Sequence, residues 1–167
     1  VIGGYLAAQS LSRGVHSLPR TLLARYLRLV PMLAVTLLAV LAASALLPPG
    51  RWPEWVTPWP TLGALLAHML LLQDVLGLPS LSAGAWYLSI DFQLYALLAF
   101  GATALHRRAA QPVWRSPLPW AVAALTLASL AWFNRDSALD AWAPYFFSAY
   151  GLGALAAWAG RSRALAG

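Results

Sequence analysis

Apolar residues recur along this chain in runs, and the stretches between them collect its arginines, prolines and tryptophans. Residues 1–12 read as the tail of a helix. A basic stretch follows at residues 13–28, with Arg13, His16, Arg20, Arg25 and Arg28. Residues 29–47 are apolar and end at Pro48-Pro49. Residues 48–60 hold five prolines and three tryptophans, with Arg51 and Glu54, and predict an irregular loop whose aromatics suit the headgroup level. A second apolar run, residues 61–78, contains His68, Gln73 and Asp74. A short Pro-Ser-Leu-Ser-Ala-Gly link leads into residues 84–105, where Asp91 is the one ionised side chain in 22 positions. Arg107, Arg108 and Arg115 come next. Runs at 117–133 and 140–160 flank a turn with Arg135 and Asp136, and Arg161 and Arg163 follow. Several of these runs approach the ~20 residues that cross a bilayer. The expectation is an all-α polytopic transmembrane helical bundle forming a single domain over residues 1–167. It would have about four full spans, a partial first helix and a re-entrant or interfacial helix at residues 61–78.

Composition sharpens the membrane reading. The chain is 60% hydrophobic and 10% charged, against about 25% charged in soluble domains. All 11 basic residues are arginine, as in a GC-rich bacterial genome. They sit between apolar runs, as topogenic charges do, so the net charge of +6 is no sign of nucleic-acid binding. With no cysteine, disulfides, thiolate metal sites and a Cys nucleophile are excluded. Scattered histidines and acids show no metal-ligand spacing, and no Gly-rich phosphate loop or Ser-centred elbow occurs. The opening residues carry neither an initiator Met nor a signal-peptide pattern, so the expectation is a fragment of a longer chain.

Placing multi-arginine clusters in the cytoplasm sets residues 13–28 inside and sends residues 29–47 outward. If residues 61–78 crossed fully, the Arg107 to Arg115 loop would lie outside. If they dip in and return, or lie at the outer interface, every multi-arginine cluster falls inside. Gly84 to Asp91 then lies towards the outer face, and residues 48–60 are extracytoplasmic.

Candidate chemistry concentrates around Asp91. A lone acid at membrane depth costs about 2.5–3.5 kcal/mol and normally faces a partner or a polar cavity. On a helix Tyr87, Asp91 and Tyr95 share one face at i, i+4 and i+8, with Ser89 and Gln93 pointing elsewhere and Trp86 at the interface. This constellation reads as an acceptor-binding site or as a structural hydrogen-bond hub between helices. Arg25 and Arg28 lie one turn apart, so both can face one anion such as a phosphate, or serve only as topogenic charge. His68 could act as a general base or as a structural hydrogen-bond partner. Gln73 and Asp74 could line a re-entrant turn or cap a helix end.

The same residues resemble the family-3 membrane acyltransferases, bacterial multi-span O-acyltransferases. Val1-Ile2-Gly3-Gly4-Tyr5-Leu6 is similar to that family's Phe-Val-x-Ser-Gly-Tyr/Phe-Leu segment, with Gly3 where Ser is usual. Ala24-Arg25-Tyr26-Leu27-Arg28-Leu29-Val30-Pro31 resembles its Arg-x-x-Arg-x-x-Pro motif, and Leu70-Leu71-Leu72-Gln73-Asp74 its Leu-x-x-Leu-Gln-Asn/Asp segment. Trp86-Tyr87-Leu88-Ser89-Ile90-Asp91-Phe92-Gln93-Leu94-Tyr95 is similar to its Trp-x-Leu-Ser-Val-Glu-x-Gln-Phe-Tyr signature, with Asp in place of the commoner Glu. The stretch from Pro144-Tyr145-Phe146-Phe147 to Gly153 resembles a later span. The matches keep their order across nearly the whole chain.

The resemblance implies transfer of an acyl, usually acetyl, group from acyl-CoA to a hydroxyl of a cell-surface carbohydrate or glycolipid, at the bacterial inner membrane and with no cofactor. It implies that Arg25 and Arg28 hold the donor. Asp91 supports catalysis, and Trp86, Tyr87, Gln93, Tyr95 and Gln73 build the acceptor side. The family's catalytic His lies in a first helix that this sequence lacks, so this fragment is expected to be inactive alone and its general base is unknown. The alternative is a non-enzymatic polytopic protein such as a small-solute transporter or membrane scaffold, with Asp91 as a coupling or structural carboxylate. Transporters tend to show paired broken helices in matching halves, and no such pairing occurs here.

Overall fold

The computed structural model describes residues 1–12, 17–46, 60–105 and 113–164. Within them the only regular elements are helical: α1 (Ile2–Leu11), α2 (Leu18–Leu46), α3 (Leu62–Met69), α4 (Ala83–Leu105), α5 (Leu118–Ala131) and α6 (Ala143–Ala164). Short 3-10 turns occupy Val113–Arg115, Phe133–Arg135 and Ser137–Leu139. The expected loop at residues 48–60, all but Pro60, lies outside the described residues, as do His16, His106, Arg107 and Arg108.

Two helices are long and apolar enough to cross a membrane, α2 and the Gly84–Leu105 stretch of α4. At 1.5 Å per residue they extend about 43 and 33 Å, against a hydrocarbon core of about 30 Å. α2 begins at Leu18, well ahead of the apolar run expected from Leu29. Arg20, Arg25 and Arg28 are therefore carried on the helix and not in a preceding loop. Along α2 only Leu33, Leu37 and Ser44 are buried, while Met32, Val35, Leu38 and Leu46 are exposed. Such a shell of bare apolar side chains calls for lipid or a partner to cover it.

The other expected spans come out differently. α3 has 8 residues, about 12 Å, too short to cross, because the chain leaves the helix at Leu70 and reverses. α5 has 14 residues, about 21 Å, since Pro117 precedes its start and Trp132 breaks its end. α6 is 22 residues long, but Ser148, Tyr150 and the Arg161-Ser162-Arg163 end make it less apolar than α2 and α4.

The chain divides into two compact units, one formed by Val1–Leu23 with Gln93–Gly167 and the other by Ala24–Phe92. In the first, α1 and α6 approach until a Cβ on Gly4 would overlap the Tyr150 carbonyl and one on Gly153 the Val1 carbonyl. Ala7, Ala8, Ala154 and Ala157 are buried alongside. Small residues at such crossings let helices pack by van der Waals contact, the means available where lipid removes the hydrophobic drive. Arg161 also donates to the Ser12 hydroxyl. α5 meets α6 through Ser129, whose hydroxyl donates to the Tyr145 carbonyl (3.2 Å) and accepts the Ser148 N–H (2.9 Å). The second unit packs Leu33 and Leu37 of α2 against Leu71, Leu81 and Ala85.

Candidate functional site: an ion pair and a strained turn in the Ala24–Phe92 unit

α3 starts at Thr61, whose hydroxyl accepts the Ala64 N–H at 3.1 Å, an N-cap arrangement. It ends at Leu71, whose φ of 57° is left-handed. The Leu72 N–H reaches back to the Ala67 carbonyl (2.8 Å) and the Leu71 N–H to the His68 carbonyl (3.0 Å). This is the Schellman pattern, which usually places Gly at that position. A leucine there costs about 1–2 kcal/mol. One more turn follows and closes in the same way at Gly77, φ 65°, with Leu78 N–H on the Gln73 carbonyl at 2.8 Å. Ser82 then caps α4 by accepting the Ala85 N–H at 3.1 Å.

Leu71 keeps its unfavourable backbone because its surroundings over-determine it. Its side chain is 2% exposed within the unit's core, and its carbonyl accepts the hydroxyl of Ser89 from α4 at 3.1 Å. Backbone strain of this sort clusters at functional sites. Gln73, also fully buried, donates through Nε2 to the Asp74 carboxylate and to the Ala85 carbonyl, both at 3.2 Å. Its Oε1 is buried and has no hydrogen-bond partner among the described residues. Reversing the amide would face oxygen with two acceptors, so the orphaned acceptor follows from the network.

His68 is 0% exposed. Nδ1 lies 2.7 Å from the Ala64 carbonyl, and Nε2 accepts the Leu81 N–H at 3.0 Å. An imidazole carrying its proton on Nδ1 satisfies both contacts. The ring thus ties α3 to the approach of α4 and has no nitrogen left to take a substrate proton. Of its two expected roles, this geometry is the structural one.

The polar centre of the unit is an ion pair. Arg25 Nη2 on α2 sits 2.5 Å from Asp91 Oδ2 on α4, with the two side chains 27% and 13% exposed. Next to it the Tyr26 hydroxyl donates to the Met69 carbonyl at 2.6 Å, and its ring meets Phe92 edge-on at 6.2 Å. At the other end of the crossing, Gly84 faces Thr36. Within this unit α2 and α4 therefore run antiparallel, with Arg25 level with Asp91 and Thr36 level with Gly84. This corrects the expected placement of Asp91 towards the outer face and Arg25 at the opposite, cytoplasmic side. The two meet at one level of the helix pair, because α2 begins at Leu18, two turns ahead of Arg25. The expected shared anion site of Arg25 and Arg28 also changes shape: Arg25 is engaged by Asp91, and Arg28 is exposed.

The remaining residues separate. Tyr87 is 63% exposed and Trp86 half-buried. Gln93 and Tyr95 belong to the other unit. Tyr95 is buried there, and Gln93 spends both ends of its amide on the start of α6, accepting the Ala143 N–H (3.1 Å) and donating to the Ala141 carbonyl (3.3 Å). Sequence reasoning passed over Ser89, which it had pointing elsewhere. The one available signal was its i+4 spacing from Ala85 on the α4 face that meets the turn. Among the described residues no group of histidines and acids could hold a metal ion. No family model, curated protein or solved structure matches this chain.

Proposed function

We propose that this chain is part of a bacterial inner-membrane, multi-pass O-acyltransferase. It would transfer an acyl group, acetyl by preference, from acyl-CoA to a hydroxyl of a cell-surface carbohydrate or glycoconjugate. The observation that supports the reading is convergence. Arg25, Gln73 with Leu71, and Ser89 with Asp91 come from three separated segments that resemble that family, and in the Ala24–Phe92 unit they join through direct hydrogen bonds. α2 and α4 provide two spans of such a bundle; α5 and α6 are the further spans proposed.

In this reading the acceptor O–H loses its proton to a general base, and its oxygen attacks the thioester carbonyl. The C–S bond then breaks and CoA leaves as the thiol. No residue of this chain is assigned as the base. Asp91 neutralises Arg25 and orients its guanidinium, and exposed Arg28 is the cation offered to the donor's phosphates. The buried Gln73 Oε1 is an acceptor suited to a hydroxyl, and within the same unit Trp86 and Tyr87 supply aromatic surface for the acceptor.

The test uses membranes containing the full-length protein, labelled acetyl-CoA and the host's surface glycan. Asp91→Asn is expected to cut transfer about ten- to a hundredfold, the value of a charge-assisted contact, with normal protein accumulation. Arg28→Ala is expected to raise the acyl-CoA KM with little effect on the acceptor. Absence of labelled glycan with the unmodified protein, or full transfer by Asp91→Asn, defeats the proposal.

A further inference from the structure

The unit containing α4's second half, α5 and α6 has a slot of about 220 Å³. Leu97, Gly101 and Ala104 of α4 form one wall, Leu118 and Ala121 of α5 the other, and Phe147 of α6 the floor. Every residue lining it is apolar, so only hydrocarbon fits without desolvating a polar group. The space exists because small residues line it: a Cβ on Gly101 would come within 3.2 Å of Leu118 Cδ1. A cavity of about 150 Å³ holds benzene, which scales to about nine carbons here. Phe100 at the rim is 60% exposed, so the slot opens on the side that bilayer chains would cover.

Charge supplies the second half of the recognition. Exposed Arg115 lies three residues ahead of the slot's Leu118. No acid occurs between Asp91 and Asp136. Basic groups beside an intramembrane apolar pocket are the features that hold anionic lipid headgroups.

We propose that this slot takes one acyl chain of an anionic phospholipid, with the phosphate held by Arg115. Bilayer lipid reaches the open side laterally, whereas a water-borne thioester does not. The inference needs α4 to span a membrane and is independent of acyl transfer.

Native mass spectrometry of the full-length protein in nonionic detergent, titrated with dioleoylphosphatidylglycerol or dioleoylphosphatidylcholine, tests it. The anionic lipid is expected to bind at least about fivefold more tightly, the worth of one arginine near a membrane surface. Arg115→Gln should erase that preference and leave phosphatidylcholine binding unchanged. Ala121→Trp should block both lipids by filling the slot, and Ala121→Leu should weaken both if the larger residue prevents folding. Equal binding of the two lipids, no effect of either Ala121 variant, or displacement of phosphatidylglycerol by equimolar palmitoyl-CoA would each overturn it.

Discussion

Where α1 meets α6, backbone touches backbone; in the Ala24–Phe92 unit, by contrast, polar side chains reach across to main-chain groups. At Gly4 and Gly153 there is no room for a Cβ, and polar groups work mostly at helix ends, as Gln93 does for α6. Around Leu71 a Tyr, a His, a Gln and a Ser each hold a backbone atom of another segment, and an ion pair closes the crossing. The first arrangement fails when an atom is added. The second fails when a polar atom is removed. A region that keeps a strained leucine, an orphaned amide oxygen and an interhelical ion pair retains features that packing alone would discard, and chemistry is better sought there than at the glycine seam.

The sharpest way to break the contrast is Arg25→Ala. It leaves Asp91 facing an unpaired, largely buried environment, and the expected loss is about 3–5 kcal/mol, read as a large fall in thermal stability of the purified full-length protein. The double change Arg25→Met with Asp91→Leu should recover most of it, since a well-packed apolar pair often matches a buried ion pair. If the double variant is as unstable as the single one, the pair is not the unit's keystone.

Gly153→Val should cost about 3 kcal/mol or more, because its Cβ meets the Val1 carbonyl and neither backbone can yield like a flexible side chain. Unaltered melting would mean that α1 does not seat on α6 as described. Ser89→Ala removes the donor to the Leu71 carbonyl and should cost about 1–3 kcal/mol. Hydrogen exchange should report it as faster opening of residues 70–73, with α1 and α6 unchanged. The smallest effect is expected at Gly77→Ala. A Cβ there meets nothing within 4 Å, so only the left-handed backbone, φ 65°, is penalised, by about 1 kcal/mol. A larger loss would show that the turn tolerates no further strain beyond Leu71.

Much of the helical pattern was legible in the sequence, because apolar runs and their arginine, proline and glycine borders act locally. Residues 84–105 emerged almost unchanged as α4, and Ile2–Leu11 as a short first helix. Lengths were less legible. α2 extends through Arg20, Arg25 and Arg28 because arginine is a good helix former and because Asp91, 66 positions away, neutralises one of them. Residues 61–78 read as one apolar run, yet the chain turns twice inside it, and only the first of those turns lacks a glycine to announce it.

By itself the sequence determined that the described chain is helical, that α2 and α4 can cross a membrane, and that Asp91 needs a reason to be where it is. Apolar periodicity and charge spacing carry that information within a single segment. Which partner answers Asp91, which nitrogen of His68 is occupied, and whether Gln93 binds a ligand or the start of α6 depend on pairs of residues 13 to 66 positions apart. Tertiary structure alone decided those, because a hydrogen bond is set by where two helices cross, and no local pattern records the crossing.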